Sequence, residues 1–378
     1  MKLGYKKLGD YIRLVDERNR NLEVETLLGL SMRKEFRKST SNVVGTDMAN
    51  YKIVRKDRFA CDFMSVIRVF KLPVVLQTKD EAILVSPAYS VFEVMDKNAL
   101  MPKYLMLWFR RSEFDRYCFF KCDSAVRGGF NWTELCETEI NIPSLERQKE
   151  IIAEYETVEN RIQLNKKLCT TLEDTAQTIY KDWFEDFEFP DENGNPYKSS
   201  GGEMVACKDL GREIPKKWNY EKLENHLLFG NGKSKPSKGI YPVYGGNGIT
   251  DYCDNFNYEK IIVIGRVGAY CGSVFNVSDK CWVSDNAIAA MSINKTVNYD
   301  FQLLQSLKLN DFSEGTGQPL ITQNILKNIY FINPQENIIN QFEEVANVLF
   351  QKAQITYSQT QKLEELKSLL LGKMALEN

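Results

Sequence analysis

Apolar side chains recur in alternating steps of four and three behind Pro143: Ile151, Tyr155, Val158 and Ile162, then Cys169, Leu172, Ala176, Ile179 and Trp183. The one missing rung falls on Asn165. Neither proline nor glycine occurs between Pro143 and Pro190, so about forty residues can continue as one helix, roughly 60 Å long. A heptad seam with one polar interruption belongs to a helix packed lengthwise against another. Adding 191 to the numbering finds that partner: Pro143 maps onto Pro334, Ile151 onto Phe342, Val158 onto Leu349, Leu172 onto Leu363 and Ile179 onto Leu370. The lead-in agrees, INIP (Ile140 to Pro143) falling on FINP (Phe331 to Pro334), and the middle rungs of the second copy are Thr356 and Thr360. Agreement at the proline, the lead-in and the polar centre points to duplication.

Around these helices the pattern predicts two mixed modules. In the first, Phe63–Phe70, Val74–Gln77 and Ala82–Val85 read as β-rich, with a helix over Lys103–Arg111. The stretch FEFPDENGNPYKSSGGEM (Phe187 to Met204) is dense in turn formers and reads as a linker or exposed loop. The second module opens with YEKLENHL (Tyr220 to Leu227), which lies over YKKLGDYI (Tyr5 to Ile12). The expected division is residues 1–142, a first module; 143–187, a long helix; 188–209, a linker; 210–333, a second module; and 334–378, a second long helix. The second module must join the end of one helix to the start of the other. Parallel helices would force it to bridge roughly 60 Å between its own termini, so the helices are expected to be antiparallel. The expected fold class is α+β: two globular mixed α/β domains, two long antiparallel coiled-coil helices between them, and an internal pseudo-two-fold repeat.

Charge refines this layout. The net charge is −2, but residues 1–142 hold 24 Lys+Arg against 19 Asp+Glu and residues 193–333 hold 15 against 13. The helical stretches 143–192 and 334–378 hold 6 against 13 and 4 against 6. Mildly basic modules beside acidic helices fit modules that approach phosphates, and fit equally solvated acidic helices beside near-neutral domains. No apolar run reaches the length of a membrane span, and the opening MKLGYKKLGD does not resemble a signal peptide, so a cytoplasmic location is expected. Nine cysteines without a Cys-x-x-Cys, and a single histidine at 226, argue against disulfide frameworks and zinc sites.

Catalytic constellations are missing: no Walker A motif, no Gly-x-Gly-x-x-Gly after a strand, and no Asn/Asp-Pro-Pro-Tyr/Phe stretch. His226 lies in a helix-forming stretch without an obvious partner, so a structural role is expected for it. The second module carries three glycine-rich patterns instead: YPVYGGNGITDY (Tyr241 to Tyr252), IIVIGRVGAYCGSV (Ile261 to Val274) and EGTGQPLIT (Glu314 to Thr322). By spacing alone each is a hairpin or turn. Clustered on one face, they would present Lys233, Lys235, Lys238, Asn247, Arg266 and Gln318 to a duplex. Lysines hold phosphates there, while Arg, Asn and Gln make bidentate contacts to base edges.

These motifs in this order resemble the DNA specificity (S) subunits of type I restriction-modification systems. The resemblance rests on YPVYGGNG, VIGRVGAYCG, WVSDNA (Trp282 to Ala287), GTGQPLITQNILKNIYFINP and LGREIPKKWNYEKL, with the long helices behind INIP and FINP. It covers essentially the whole chain. The first module departs most, since it lacks the YGGNG and IGRVG patterns. Asp57–Val69 and RGGFNW (Arg127 to Trp132) stand as its equivalents, and its candidate DNA-facing residues are Lys34, Arg37, Lys38, Arg127 and Asn131. The resemblance implies two target-recognition domains on double-stranded DNA, each reading one half of a split sequence, with the helices setting the gap. It also implies two adenine-methyltransferase partners and restriction-translocase partners, with S-adenosylmethionine, ATP and magnesium on those partners and no cofactor or metal on this chain. A stand-alone bipartite DNA-binding regulator and a coiled-coil protein scaffold remain as other readings of the residues.

Overall fold

The computed structural model describes residues 5–39, 46–122, 129–315 and 317–374. The chain forms two compact units, Met1–Leu164 with Gln359–Asn378, and Asn165–Ser358. Each unit therefore holds part of each long helix.

The first unit begins β1 (Tyr5–Lys7), β2 (Ile12–Val15), β3 (Leu28–Leu30), β4 (Phe36–Lys38), β5 (Lys52–Val54) and β6 (Arg58–Cys61). It continues α1 (Val66–Val69), β7 (Val74–Leu76), β8 (Ile83–Val85), β9 (Ser90–Val94), α2 (Pro102–Phe109) and α3 (Ser112–Lys121). Then come α4 (Trp132–Cys136), β10 (Glu139–Asn141) and the long helix α5 (Leu145–Tyr180), of which the turns up to Leu164 belong here. The central sheet has the order β2–β9–β6–β7 with every neighbour antiparallel. Alternation decides its faces: Phe59 sits opposite Phe92 with rings stacked at 4.8 Å on the core side. On the other side Glu93 takes Arg13 at 2.7 Å and Arg58 at 3.0 Å from the two flanking strands.

Residues 63–70, expected to be β-rich, turn into α1. The Asp62 carboxylate accepts from Met64 N, Ser65 N and the Ser65 hydroxyl, folding the chain into a turn ahead of α1 and stopping the strand. The start of α5 is pinned by Gln148, which is fully buried. Its side chain donates to the Ala99 and Pro143 carbonyls, both at 2.9 Å, and accepts from Met101 N at 2.8 Å.

The second unit takes the rest of α5 and a π-helical turn, Lys181–Glu185. It continues β11 (Met204–Cys207), β12 (Arg212–Pro215), β13 (Asn219–Lys222), β14 (Leu227–Asn231), β15 (Lys238–Gly245) and β16 (Gly248–Cys253). After these run β17 (Ile261–Gly265), β18 (Val274–Val277), β19 (Trp282–Val283), β20 (Ala287–Ser292), α6 (Val297–Ser306), α7 (Gln323–Lys327), β21 (Tyr330–Asn333) and α8 (Glu336–Lys373). Its main sheet has the order β14–β20–β17–β18, all antiparallel, position for position the order of the first unit's sheet. The opening strand of the first unit, and in the second the strand after the β11–β12 pair, pairs antiparallel with the strand just before the long helix, β1 with β10 and β13 with β21. A three-stranded sheet, β16–β15–β19, is present beside this plan.

Two expectations are corrected here. The start of the segment expected as a linker is packed: Phe187 and Phe189 are buried, and Phe189 stacks on Tyr197 at 4.5 Å and Trp218 at 5.0 Å, while most of residues 191–204 is exposed as expected. His226 does have a partner, since its buried Nε2 lies 2.6 Å from Asp300 Oδ1 on α6.

Both units pair the long helices antiparallel. In the first, Glu159 bonds to Lys367, while Ile151 lies by Leu370 and Met374. In the second, Cys169 Sγ meets the Ala353 carbonyl at 3.5 Å and Tyr180 packs on Phe342 at 5.8 Å. Along the expected seam Ile151, Tyr155, Ile162 and Phe342 are buried, and Val158, Leu172, Ile179, Leu349, Leu363 and Leu370 are half-buried. At the end of α5 the register moves by one, so that Tyr180 and Phe184 are buried where Ile179 and Trp183 are only half-buried. The wider i→i+5 turn at 181–185 rotates the face by that amount. Phe342 sits in the resulting cluster, within 5.3–6.3 Å of the rings of Phe184, Tyr180, Trp183 and Tyr299. We expect Phe342→Ala to destabilise the second unit by about 3–5 kcal/mol. Calorimetry of the full chain should show that unit's transition falling while the other stays in place.

Candidate nucleic-acid interface

The three glycine patterns of the second unit meet at one cleft of ≈ 550 Å³. The β15–β16 hairpin has the two-residue turn Gly246-Asn247, closed by Gly248 at φ +80°, a backbone angle that suits glycine. Beside it runs the turn after β17. An added Cβ at Gly265 would come 2.3 Å from the Tyr270 carbonyl and 3.1 Å from Gly246 Cα, so the close packing here requires glycine at 265. Arg266 N donates to the Asn286 carbonyl at 3.0 Å, joining the turn to the loop between β19 and β20. Gly268 N donates to the Pro319 carbonyl at 3.0 Å, and Ile321 N to the Arg266 carbonyl at 2.9 Å, joining it to the third loop. The cleft floor is thus made from main chain, and side chains are left to project from it.

Lys235, Asn247 and Gln318 line this cleft, with Val267 and Gly268 beside Arg266. Arg266 itself is half-buried, and its guanidinium has no hydrogen-bond or ion-pair partner among the described residues. Lys235 is paired with Asp251, which also lines the cleft, and this ammonium holds the Asp251 carboxyl below its ordinary pKa. Lys233 and Lys238 are exposed but do not line it. Ser284, Asp285 and Asn286 were not among the expected site residues, and they line the cleft too. Their signal was the SDN run inside WVSDNA, polar residues set between two strands. Among the described residues no group of His, Cys, Asp and Glu could hold a metal ion.

In the first unit the expected residues do not assemble in this way. Lys34 is corrected outright: it is 4% exposed, with Nζ 2.8 Å from Asp115 and bonded to the Phe109 carbonyl. Burial lowers its pKa, and it ties a turn to α2 and α3 where it cannot reach a phosphate. Arg37 and Lys38 are exposed on β4, the Arg37 Nε bonded to the Leu30 carbonyl at 3.2 Å. Asn131 is exposed, yet its side chain caps α4 by accepting from Glu134 N at 3.0 Å. Arg127 lies outside the described residues.

Residues 216–368 match the family model of the type I restriction modification DNA specificity domain. The match covers the second module and most of the second long helix. The matched family is described by DNA sequence specificity. Over 315 residues it is 24% identical to the type I restriction enzyme MjaIX specificity subunit of Methanocaldococcus jannaschii, spanning 74% of this chain and 70% of that one. It is 26% identical over 161 residues to the EcoprrI specificity subunit of Escherichia coli, 40% of this chain and 39% of that protein. In fold it is similar to the crystal structure of a type I restriction-modification S subunit from M. genitalium, with a TM-score of 0.61 at 14% identity, covering 99% of this chain and 96% of that one.

With DNA as the ligand, Arg266→Ala separates two roles. A contact to a base edge should cost about 1–3 kcal/mol of discrimination in one half of the target and leave the other half's preference unchanged. A phosphate contact should weaken all sequences alike and flatten the salt dependence. Binding titrations at several salt concentrations distinguish the two.

Proposed function

We propose that this chain is the DNA-specificity subunit of a type I restriction-modification enzyme, reading a two-part target with one unit on each part. The observation that carries the reading is the convergence of three glycine loops on one cleft, in a segment matching the DNA specificity domain. Asn247, Arg266 and Gln318 supply the donor and acceptor forks that base edges require, and Lys235 is released to phosphate when Asp251 gives it up. The two units arise from duplication, a reading supported by their identical sheet order and by the matching pairs of β1 with β10 and β13 with β21. The long helices form an antiparallel coiled coil that sets the unread gap between the two halves.

Recognition here is delegated. The chain fixes where a methyltransferase partner takes an adenine out of the stack, and a restriction-translocase partner acts from the same platform. S-adenosylmethionine, ATP and magnesium sit on those partners, and the chain by itself neither methylates nor cleaves. No helix of the described residues is long and apolar enough to cross a membrane, and the complex works in the cytoplasm, where the DNA is.

Methylome sequencing of the host with and without this gene tests the reading. The expected result is a bipartite methylated-adenine motif that disappears with the gene, and a methyltransferase that co-purifies with the chain. An unchanged methylome, or S-adenosylmethionine turnover by the chain free of any second polypeptide, overturns it.

A further inference from the structure

In the first unit the connection between β6 and β7, residues 62–73, occupies the place in the strand order that residues 266–273 occupy in the second. There, that connection supplies Val267, Gly268 and Tyr270 to the cleft. Here it is longer, carries α1, and presents an apolar surface: Met64, Ile67 and Phe70 are 59%, 52% and 60% exposed. The neighbouring α3 adds Phe119 and Phe120, 39% and 78% exposed, with the Phe119 ring 4.6 Å from that of Phe70. Large side chains are being held out of the core at this one face.

Two further observations say what covers it. Phe70 ends α1 at φ +56°, the left-handed region in which a bulky side chain is crowded by its own backbone. Such a conformation persists where packing over-determines it, and it gathers at binding sites. Charge selects the partner. Arg68 and Lys71 are exposed on the same connection and have no ion-pair partner among the described residues. Arg116 and Lys121 are exposed on α3. Arg116 is paired with Glu113 and Lys121 with Glu134, so Arg68 and Lys71 are the unpaired cations of this face. Aromatic and aliphatic tips flanked by two such cations complement a duplex, whose phosphates lie outside and whose stacked bases lie within.

We propose that this face of the first unit is a wedge. Phe120 and Phe70 insert at a base step of the DNA while Arg68 and Lys71 hold the flanking phosphates. The proposal rests on the DNA-specificity reading and goes beyond it. The second unit reads base edges with polar tips, whereas the first reads in part the ease with which a step unstacks, so its half of the target should contain a flexible pyrimidine–purine step.

The test uses the full chain with its co-produced methyltransferase and a duplex carrying the motif that methylome sequencing identifies. The fluorescent base 2-aminopurine is placed in turn at positions other than the methylated adenines. The expected result is a several-fold rise in fluorescence at one step of one half-site on binding. Phe120→Ala should remove that rise and weaken binding about tenfold, Phe120→Trp should keep both, and the methyltransferase should co-purify with either variant. A parent complex that binds its motif with no rise at any position overturns the wedge and leaves the DNA-specificity reading standing. So does Phe120→Ala binding as tightly as the parent. Loss of the methyltransferase from Phe120→Ala assigns the face to a protein partner and also overturns it. A parent complex with no sequence preference removes the DNA-specificity reading, and the wedge with it.

Discussion

Two helices of 36 and 38 residues, each with an apolar stripe along it, must find cover. Water does not supply it, and a helix with such a stripe takes most of its stability from packing rather than from propensity. In both compact units the cover for one helix is the other. The aromatic cluster at Phe342, the ion pair of Lys367 with Glu159 and the close approach of Cys169 to Ala353 all follow from that constraint. The polar rungs qualify it. Asn165 is 2% exposed and its Nδ2 has no hydrogen-bond partner among the described residues, and Thr356 of the other helix is buried as well. From the contact of Cys169 with Ala353, antiparallel packing puts position 165 opposite 356–357. A buried polar pair there lowers stability and penalises sliding, because any slip would set an amide or a hydroxyl against an apolar rung.

The capping of α6 shows how closely α8 is built into the second unit. Glu343 accepts from Asn298 N at 3.2 Å, from Asn298 Nδ2 at 2.9 Å and from Tyr299 N at 2.9 Å, so a carboxylate on one helix satisfies the open donors of another. Burial nonetheless raises the pKa of this carboxyl against the pull of those donors. In the first unit Gln148 has a similar task through an uncharged amide, holding the start of α5 to the Ala99 and Met101 backbone. Long helices anchored in this way at their N-terminal turns are parts of their units rather than rods attached to them.

Much of this was legible in the residues. The prolines ahead of the helices and the three glycine loops are compositional signals, and the loops meet at one cleft; the seam is a periodic signal, with Ile151, Tyr155 and Ile162 buried and a shift by one at Tyr180. What was hidden depends on contacts distant in sequence. Nothing near Lys34 announces Asp115, 81 residues away, which turns a surface lysine into a buried one. The same holds for His226 and Asp300, 74 residues apart. Phe187 and Phe189 sit in a run whose glycines and prolines read as loop, and only Trp218 reveals that they are core. α1 was hidden by its β-branched residues, since one Asp62 carboxylate is enough to override a local preference for strand.

The backbone lacing under the cleft separates two kinds of change. Gly246 packs on Gly265, Gly268 is bound to Pro319, and Arg266 is held by its own amide and carbonyl, so the loops keep their shape through atoms that every amino acid possesses. The tips at Asn247, Arg266, Asp285 and Gln318 contribute little to that shape. If they read DNA as proposed, they would form an exchangeable alphabet on a fixed frame: a change at a tip would rewrite what is read without unfolding the reader, while a side chain at Gly265 would push the frame apart. On that reading, a lineage under pressure to alter its target could move through folded intermediates, one letter at a time.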